Sequence, residues 1–138
     1  MTTIQNRTAQ SIYPGVRYED ARAAIGWLTS VLGFQEHEVC AADDGSIQHA
    51  ELRINGNLIM LGTASPGGFT KSPRELGGAS FSVYVALDAA SDVDALRDRA
   101  KHAGAEIVRE LTDTDYGSRE FSVRDPEGYV WSFGTYRP

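Results

Sequence analysis

The sequence predicts an α+β protein built from two repeated modules, each consisting of a strand, a helix and three further strands. The same order of patterns occurs twice along the chain, and both halves end in a similar hairpin. The hairpin segments LRINGNLIMLG and VRDPEGYVWSFG end at Gly62 and Gly134, so that Met60 corresponds to Ser132. Because a module of about 60 residues would bury little apolar surface alone, we expect the two modules to pair and share a concave sheet.

The first module is expected to span residues 11–64. Asp20 is placed to cap a helix over residues 20–32, whose apolar side chains recur at helical spacing, and Gly33 is placed to end it. Strands are predicted at residues 11–18, 34–41, 47–54 and 57–63. The Asn55-Gly56 pair between the last two strands is a strong signal for a two-residue hairpin turn.

The second module is expected to span residues 80–136, after a loop at 65–79. That loop is rich in glycine, proline and serine, which suits either a linker or a loop that closes over a site. Ser91-x-x-Asp94 resembles a capping box and predicts a helix over residues 92–103. Strands are predicted at 81–87, 105–111, 119–125 and 129–135. The whole chain, 1–138, is thus one domain of two modules.

Composition excludes several functional classes. The 138 residues are 41% hydrophobic and 23% charged, as in an ordinary globular protein. A net charge of −6 argues against a nucleic-acid partner, which would need a basic surface. No apolar run approaches a membrane span and no signal segment opens the chain, so no membrane partner and a cytoplasmic location are expected. The single cysteine, Cys40, excludes an internal disulfide and is expected to be a small buried strand residue.

Alternation along the strands separates a core face from a second face, here called the inner face, which either faces water on a half-exposed sheet or lines the concave sheet. Trp131 and Phe133 share one face, which suits packing against helices, whereas Ser132 lies on the other. By the same rule Glu120 faces inward, where it could be a general base or the partner of Arg119 or Arg124 in a salt bridge.

The same alternation brings two further candidates together on the inner face. His49 and Glu51 lie two residues apart on a strand and could form an acid–base pair, a metal site or an ordinary polar surface. Tyr13, Tyr84 and Tyr116 offer flat apolar bodies with one hydroxyl each, which suits a flat aromatic ligand as well as a protein core.

Three segments carry a resemblance to a known family. They are YEDARAAIGWLTSVLGF, DVDALRDRAKHAGAEIVRE and DTDYGSREFSVRDPEGYVWSFGTY, the last with a G-x-R and D-P-x-G-x-x-W-x-F pattern. With the repeat, residues 11–136 resemble the vicinal-oxygen-chelate superfamily of glyoxalases, extradiol dioxygenases and bleomycin-resistance proteins. The resemblance implies two βαβββ modules that form a cup-shaped mixed sheet with helices on its outer face, usually in a homodimer.

The resemblance also implies where a metal would be held. The family's four ligand positions correspond to Tyr13, Met60, Ser82 and Ser132 in this sequence. Divalent enzyme metals prefer imidazole and carboxylate ligands, so we expect no metal and no other cofactor. The inner-face residues that we expect to contact a ligand are Tyr13, Met60, Ser82, Tyr84, Tyr116, Glu120 and Ser132.

Two functions remain open from the sequence. The first is a metal-independent protein that binds a small organic molecule and sequesters an antibiotic or natural product. The second is a glyoxalase-like lyase, isomerase or dioxygenase that uses a relocated metal at His49 and Glu51, or metal-free acid–base chemistry by Glu51, Glu120 or a tyrosine. Whether catalysis occurs, and on which molecule, is left open at this stage.

Overall fold

The computed structural model describes residues 9–138 as two four-stranded mixed sheets with helices packed on one side. The first module contains β1 (Gly15–Tyr18), α1 (Ala21–Leu32), β2 (Gln35–Ala41), β3 (Ile47–Ile54) and β4 (Asn57–Thr63). The second contains β5 (Ser82–Ala86), α3 (Ala90–His102), β6 (Glu106–Asp113), β7 (Arg119–Arg124) and β8 (Val130–Gly134), and α2 (Pro73–Leu76) lies in the connection. The α+β fold class of two βαβββ modules is confirmed.

The two sheets share one topology, which the internal repeat predicted. Their strand orders are β1-β4-β3-β2 and β5-β8-β7-β6, with the first strand parallel to the last in each module. Met60 on β4 pairs with Gly15 on β1, and Ser132 on β8 pairs with Tyr84 on β5. Met60 and Ser132 therefore occupy equivalent places.

A buried aspartate in the D-P-x-G turn joins the modules. Asp125 is nearly inaccessible, and its Oδ1 accepts hydrogen bonds from the backbone N–H groups of residues 127, 128 and 129. Its Oδ2 accepts from the hydroxyl of Tyr18 at 2.7 Å and from the indole N–H of Trp131 at 3.0 Å. Glu127 accepts from the backbone N–H groups of Glu19 and Asp20, just before α1. The motif thus has a structural role between β1 and β8.

The start of α3 and the connecting loop differ from expectation. The helix begins at Ala90, and the carboxylate that accepts from the backbone N–H of Ala89 belongs to Asp92, whereas Asp94 pairs with Arg119. The 65–79 loop contains the short helix α2, which the buried Ser72 caps. The loop predicted at residues 65–79 is therefore not irregular throughout. A helix begins within it because a serine followed by a proline is a favourable helix start.

Cys40 is another correction. It is exposed, as is every residue of β2, which is the edge strand of its sheet. None of the helices within residues 9–138 has the length and apolarity that a membrane crossing requires.

Candidate ligand-binding site

The inner face of the second sheet forms a concave region of about 620 Å³. We call it the second-module hollow, and its lining residues are Ser82, Tyr84, Arg109, Tyr116, Glu120, Ser132, Tyr136 and Pro138. Five of the seven residues that the sequence predicts as ligand contacts lie here. The other two, Tyr13 and Met60, line a separate first-module hollow of about 270 Å³ together with Glu51 and Leu58.

Glu120 lies at the floor of the second-module hollow with only 7% of its surface exposed. Its Oε1 accepts a hydrogen bond from Arg109 Nη1 at 3.1 Å and another from the Tyr116 hydroxyl at 2.9 Å. Among residues 9–138 no hydrogen bond reaches its Oε2, which lies beside Gly134. The carboxylate therefore keeps one acceptor free on the side of the hollow.

The salt-bridge partner of Glu120 differs from both partners expected from the sequence. Arg119 bonds to Asp94 and Asp113, because neighbours along a strand project to opposite faces. Arg124 pairs with Glu106. Arg109 takes the role because β6 runs beside β7, a relation that chain spacing does not reveal.

Three tyrosines form the walls of the hollow. The rings of Tyr116 and Tyr136 lie 5.5 Å apart between centroids with their planes at 79°. The Tyr84 hydroxyl donates to the backbone carbonyl of Tyr136 at 2.8 Å. Tyr136 was not among the sequence candidates, and only its position two residues after β8 could have drawn attention to it.

The hydroxyls of Tyr116 and Tyr84 keep their protons at neutral pH. The hydrogen bond that Tyr116 donates to the Glu120 carboxylate raises the pKa of Tyr116, because an ionised phenol there would lose the bond and face a negative charge. Burial raises the pKa of Tyr84. Both side chains are therefore neutral groups that donate hydrogen bonds.

Serine hydroxyls complete the floor. Ser132 Oγ and Ser122 Oγ lie 2.6 Å apart on neighbouring strands and share a hydrogen bond. The serine between Trp131 and Phe133 thus faces the hollow while both aromatic rings are buried on the helix side.

A polar cluster lies beside the first-module hollow and shares Glu51 with its lining. His49 Nε2 lies 2.8 Å from Glu51 Oε2, and His37 Nε2 lies 3.8 Å from Glu51 Oε1. Arg53 Nη2 contacts His37 Nδ1 at 3.1 Å. Since arginine only donates, Nδ1 accepts and a neutral His37 ring carries its proton on Nε2. Sequence reasoning gave His37 no role in this cluster.

The residues present do not fit a divalent metal at the positions that the family uses. Tyr13 and Met60 lie in one hollow and Ser82 and Ser132 in the other. The Tyr13 hydroxyl donates to a backbone carbonyl, and Ser132 is bonded to Ser122. Within residues 9–138, no three histidine, cysteine, aspartate or glutamate side chains are grouped as a metal site would require.

A smaller cavity of about 110 Å³ lies near the joint between the modules, outside both hollows. Trp27, Arg74 and Asp125 are among its lining residues. Because Asp125 is fully used in bonds that hold the fold together, the second-module hollow is the better candidate for ligand binding.

Comparison with known proteins yields relatives of unassigned activity. The uncharacterized protein Mb0911c of Mycobacterium bovis is 35% identical over 127 residues, which cover 90% of this chain and 82% of the relative. The uncharacterized protein Rv0887c of Mycobacterium tuberculosis is also 35% identical over 127 residues, covering 90% of this chain and 73% of the relative.

Solved structures share the fold of this chain. TioX from Micromonospora sp. ML1 is 31% identical with a TM-score of 0.73, covering 94% of this chain and 98% of TioX. FosX from Listeria monocytogenes, a fosfomycin resistance protein solved with Mn(II) and sulfate, shares the fold at 14% identity and a TM-score of 0.68, covering 96% and 95% of the two chains. A family model matches residues 7–133, and the chain therefore belongs to the Glyoxalase/Bleomycin resistance protein/Dioxygenase superfamily.

Proposed function

We propose that this protein binds a small organic molecule in the second-module hollow, without a metal, and that it sequesters an antibiotic or another natural product. The observation that carries the proposal is the buried Glu120 carboxylate, which has a free acceptor atom at the floor of a tyrosine-walled concave surface.

The lining has the composition of a small-molecule site. Ligand pockets are mostly apolar with a few convergent polar groups that fix orientation. Here Tyr84, Tyr116 and Tyr136 supply flat surfaces, and Glu120 supplies the orienting group. The volume of about 620 Å³ lies within the range of drug-sized ligand sites.

Metal independence rests on the donor set. Divalent cations are bound poorly by the groups at these positions. They are the Tyr13 hydroxyl and the Met60 thioether in one hollow, and the hydroxyls of Ser82 and Ser132 in the other. In FosX, which was solved with Mn(II), the metal belongs to that protein, and at this identity the likeness concerns the fold alone.

One structural neighbour and the superfamily itself support the class of ligand. FosX is a fosfomycin resistance protein, and one FosX structure contains 1S,2S-dihydroxypropylphosphonic acid. The superfamily model is named in part for bleomycin resistance. We therefore propose antibiotics and other toxic natural products as the class of ligand for this chain.

A metal-free enzyme is the second candidate, because one observation favours it. His49 and Glu51 form a hydrogen-bonded pair at 2.8 Å beside the first-module hollow. A carboxylate that orients an imidazole is a common arrangement for general-base catalysis. In that case the substrate would lie against Tyr13 and Met60.

The test is ligand binding with and without a chelator. We expect naphthalene-methanol, a neutral aromatic probe, to raise the Tm equally in buffer and in excess EDTA, and to shift NMR signals of the second-module hollow. Elemental analysis should find no stoichiometric divalent metal in the purified protein. A metal that disappears in His49→Ala, or a Tm rise that EDTA abolishes, would contradict metal independence and would favour an enzyme with a relocated metal at His49 and Glu51.

A further inference from the structure

We propose that the ligand of the second-module hollow carries an organic cation, such as a protonated amine or a guanidinium group, on an aromatic body, and that Glu120 holds this cation. The inference rests on the proposed binding function and specifies the class of molecule that the hollow takes.

The first step is the unsatisfied side of the Glu120 carboxylate. A buried carboxylate needs cationic or hydrogen-bonding partners, because removing its charge from water is costly. Both donors that reach Glu120, from Arg109 and Tyr116, bond to Oε1. Oε2 is left as an acceptor at the floor of the hollow, placed to receive an N–H group from a ligand.

The second step is that the existing counter-ion is replaceable. The Arg109 side chain is 48% exposed and extends from the edge strand β6. Within residues 9–138 its guanidinium makes no contact with a carboxylate other than Glu120. A ligand cation can therefore displace Arg109 into water, where it regains hydration, while Glu120 keeps a positive partner.

The third step is the character of the walls. The ring faces of tyrosine attract cations within about 6 Å of the ring centre. The rings of Tyr116 and Tyr136 are nearly perpendicular, so they present faces in two directions around one space. Among residues 9–138, Arg109 is the sole basic residue of the lining, and the side chains of Ser82, Ser132 and Pro138 are uncharged.

The fourth step is the exclusion of anions. An anionic group that reached the floor would meet the negative charge of Glu120, whose Oε1 already accepts the hydrogen bonds from Arg109 and Tyr116. The chain as a whole carries a net charge of −6, which attracts cations and repels anions at a distance. Local and overall charge thus favour the same class of ligand.

The experiment compares three probes of one shape and different charge: naphthylmethylamine, naphthalene-methanol and naphthoate. Their affinities are measured by NMR titration of the wild-type protein and of three variants at neutral pH. In the wild type, we expect the amine to bind about tenfold more tightly than the alcohol, and naphthoate to bind most weakly. In Glu120→Gln, the amine and the alcohol should bind alike.

Arg109→Ala gives the sharper result. Removal of the competing internal cation should strengthen amine binding several-fold and leave alcohol binding unchanged. Arg124→Ala is the matched control, because Arg124 also extends from the second sheet and pairs with a carboxylate, Glu106, but lies outside the hollow. It should change neither affinity.

The possible failures are distinguishable. If the amine and the alcohol bind the wild type equally, or if naphthoate binds best, the cation proposal is wrong while the binding function stands. If Arg109→Ala weakens amine binding or leaves it unchanged, the proposal is also overturned, even where Glu120→Gln does not fold. If no probe of any charge shifts the signals of the hollow, the proposed function itself fails.

Discussion

Gly134 illustrates how a single missing side chain shapes the candidate site. A Cβ atom at this position would lie 2.6 Å from the Tyr84 hydroxyl oxygen and 2.7 Å from Glu120 Cγ. Its φ is not in the left-handed region, so the need for glycine is one of space. The hollow can hold its tyrosine and its carboxylate close together only because this strand residue has no side chain.

We expect Gly134→Ala to lower the free energy of unfolding by about 1–3 kcal/mol, because a buried group must move to make room. It should also weaken binding of the aromatic probes. Gly15→Ala is the control, because a Cβ on this other inner-face strand glycine meets nothing within 4 Å. Urea unfolding would measure both variants, and equal stability of the two would contradict the steric argument.

At the scale of elements, the turn between β7 and β8 fixes the first module against the second. Asp125 receives donors from β1 and β8 as well as from its own turn, so one carboxylate positions two strands. The family motif therefore marks a joint between elements.

This joint predicts a dependence of stability on alkaline pH. Burial, and secondarily the charge of Asp125, raises the pKa of Tyr18 far above its usual value of 10.0. Above pH 10 the unfolded chain releases this proton while the folded protein keeps it, so the stabilisation is complete below pH 10 and declines as the pH rises further.

We therefore expect Tyr18→Phe to be less stable than the wild type by about 1–2 kcal/mol at neutral pH, because a hydrogen bond to a buried carboxylate is lost. The difference should narrow above pH 10, where only the wild type loses stability through Tyr18. Urea unfolding across this pH range measures both effects. If the difference in unfolding free energy between the wild type and Tyr18→Phe stayed constant above pH 10, the stability would not depend on the proton of Tyr18.

At the scale of the whole molecule, we propose that the protein forms a homodimer, as the family resemblance implies. Some large apolar side chains are exposed in one copy, with Phe69 at 94% and Ile12 at 86% of their surface. Exposed apolar surface marks sites of association, and a two-fold symmetric dimer is the commonest form of homo-oligomer.

Sedimentation should therefore give about twice the chain mass of 15.0 kDa. Phe69→Ser should shift the equilibrium toward the monomer, because the Phe69 side chain is exposed in a single copy and would be buried in the dimer interface. Thr70→Ala, a change at the neighbouring exposed position, should leave the dimer intact. A monomer at high concentration in the wild type would refute the dimer.

The sequence by itself determined the two-module architecture. Hydrophobic periodicity, the Asp20 cap and the Asn55-Gly56 turn are local signals, and each element they predict is found. The first strand is shorter than predicted, because β1 begins at Gly15 and leaves Tyr13 outside it. The repeat then fixed which positions correspond, because Met60 and Ser132 could be aligned by counting along similar hairpins. Strand alternation also correctly put Glu120 and Ser132 on the face away from Trp131 and Phe133.

Only the tertiary structure decided which inward-facing groups meet. Alternation determines the face of a side chain, but the register between strands determines its neighbour, and β6 brings Arg109 to Glu120 across irregular pairing. The chain after β8 adds Tyr136, which no strand pattern covers. The exposure of Cys40 likewise depends on β2 being an edge strand. Such relations join residues far apart in the chain, so they follow from packing and not from local sequence.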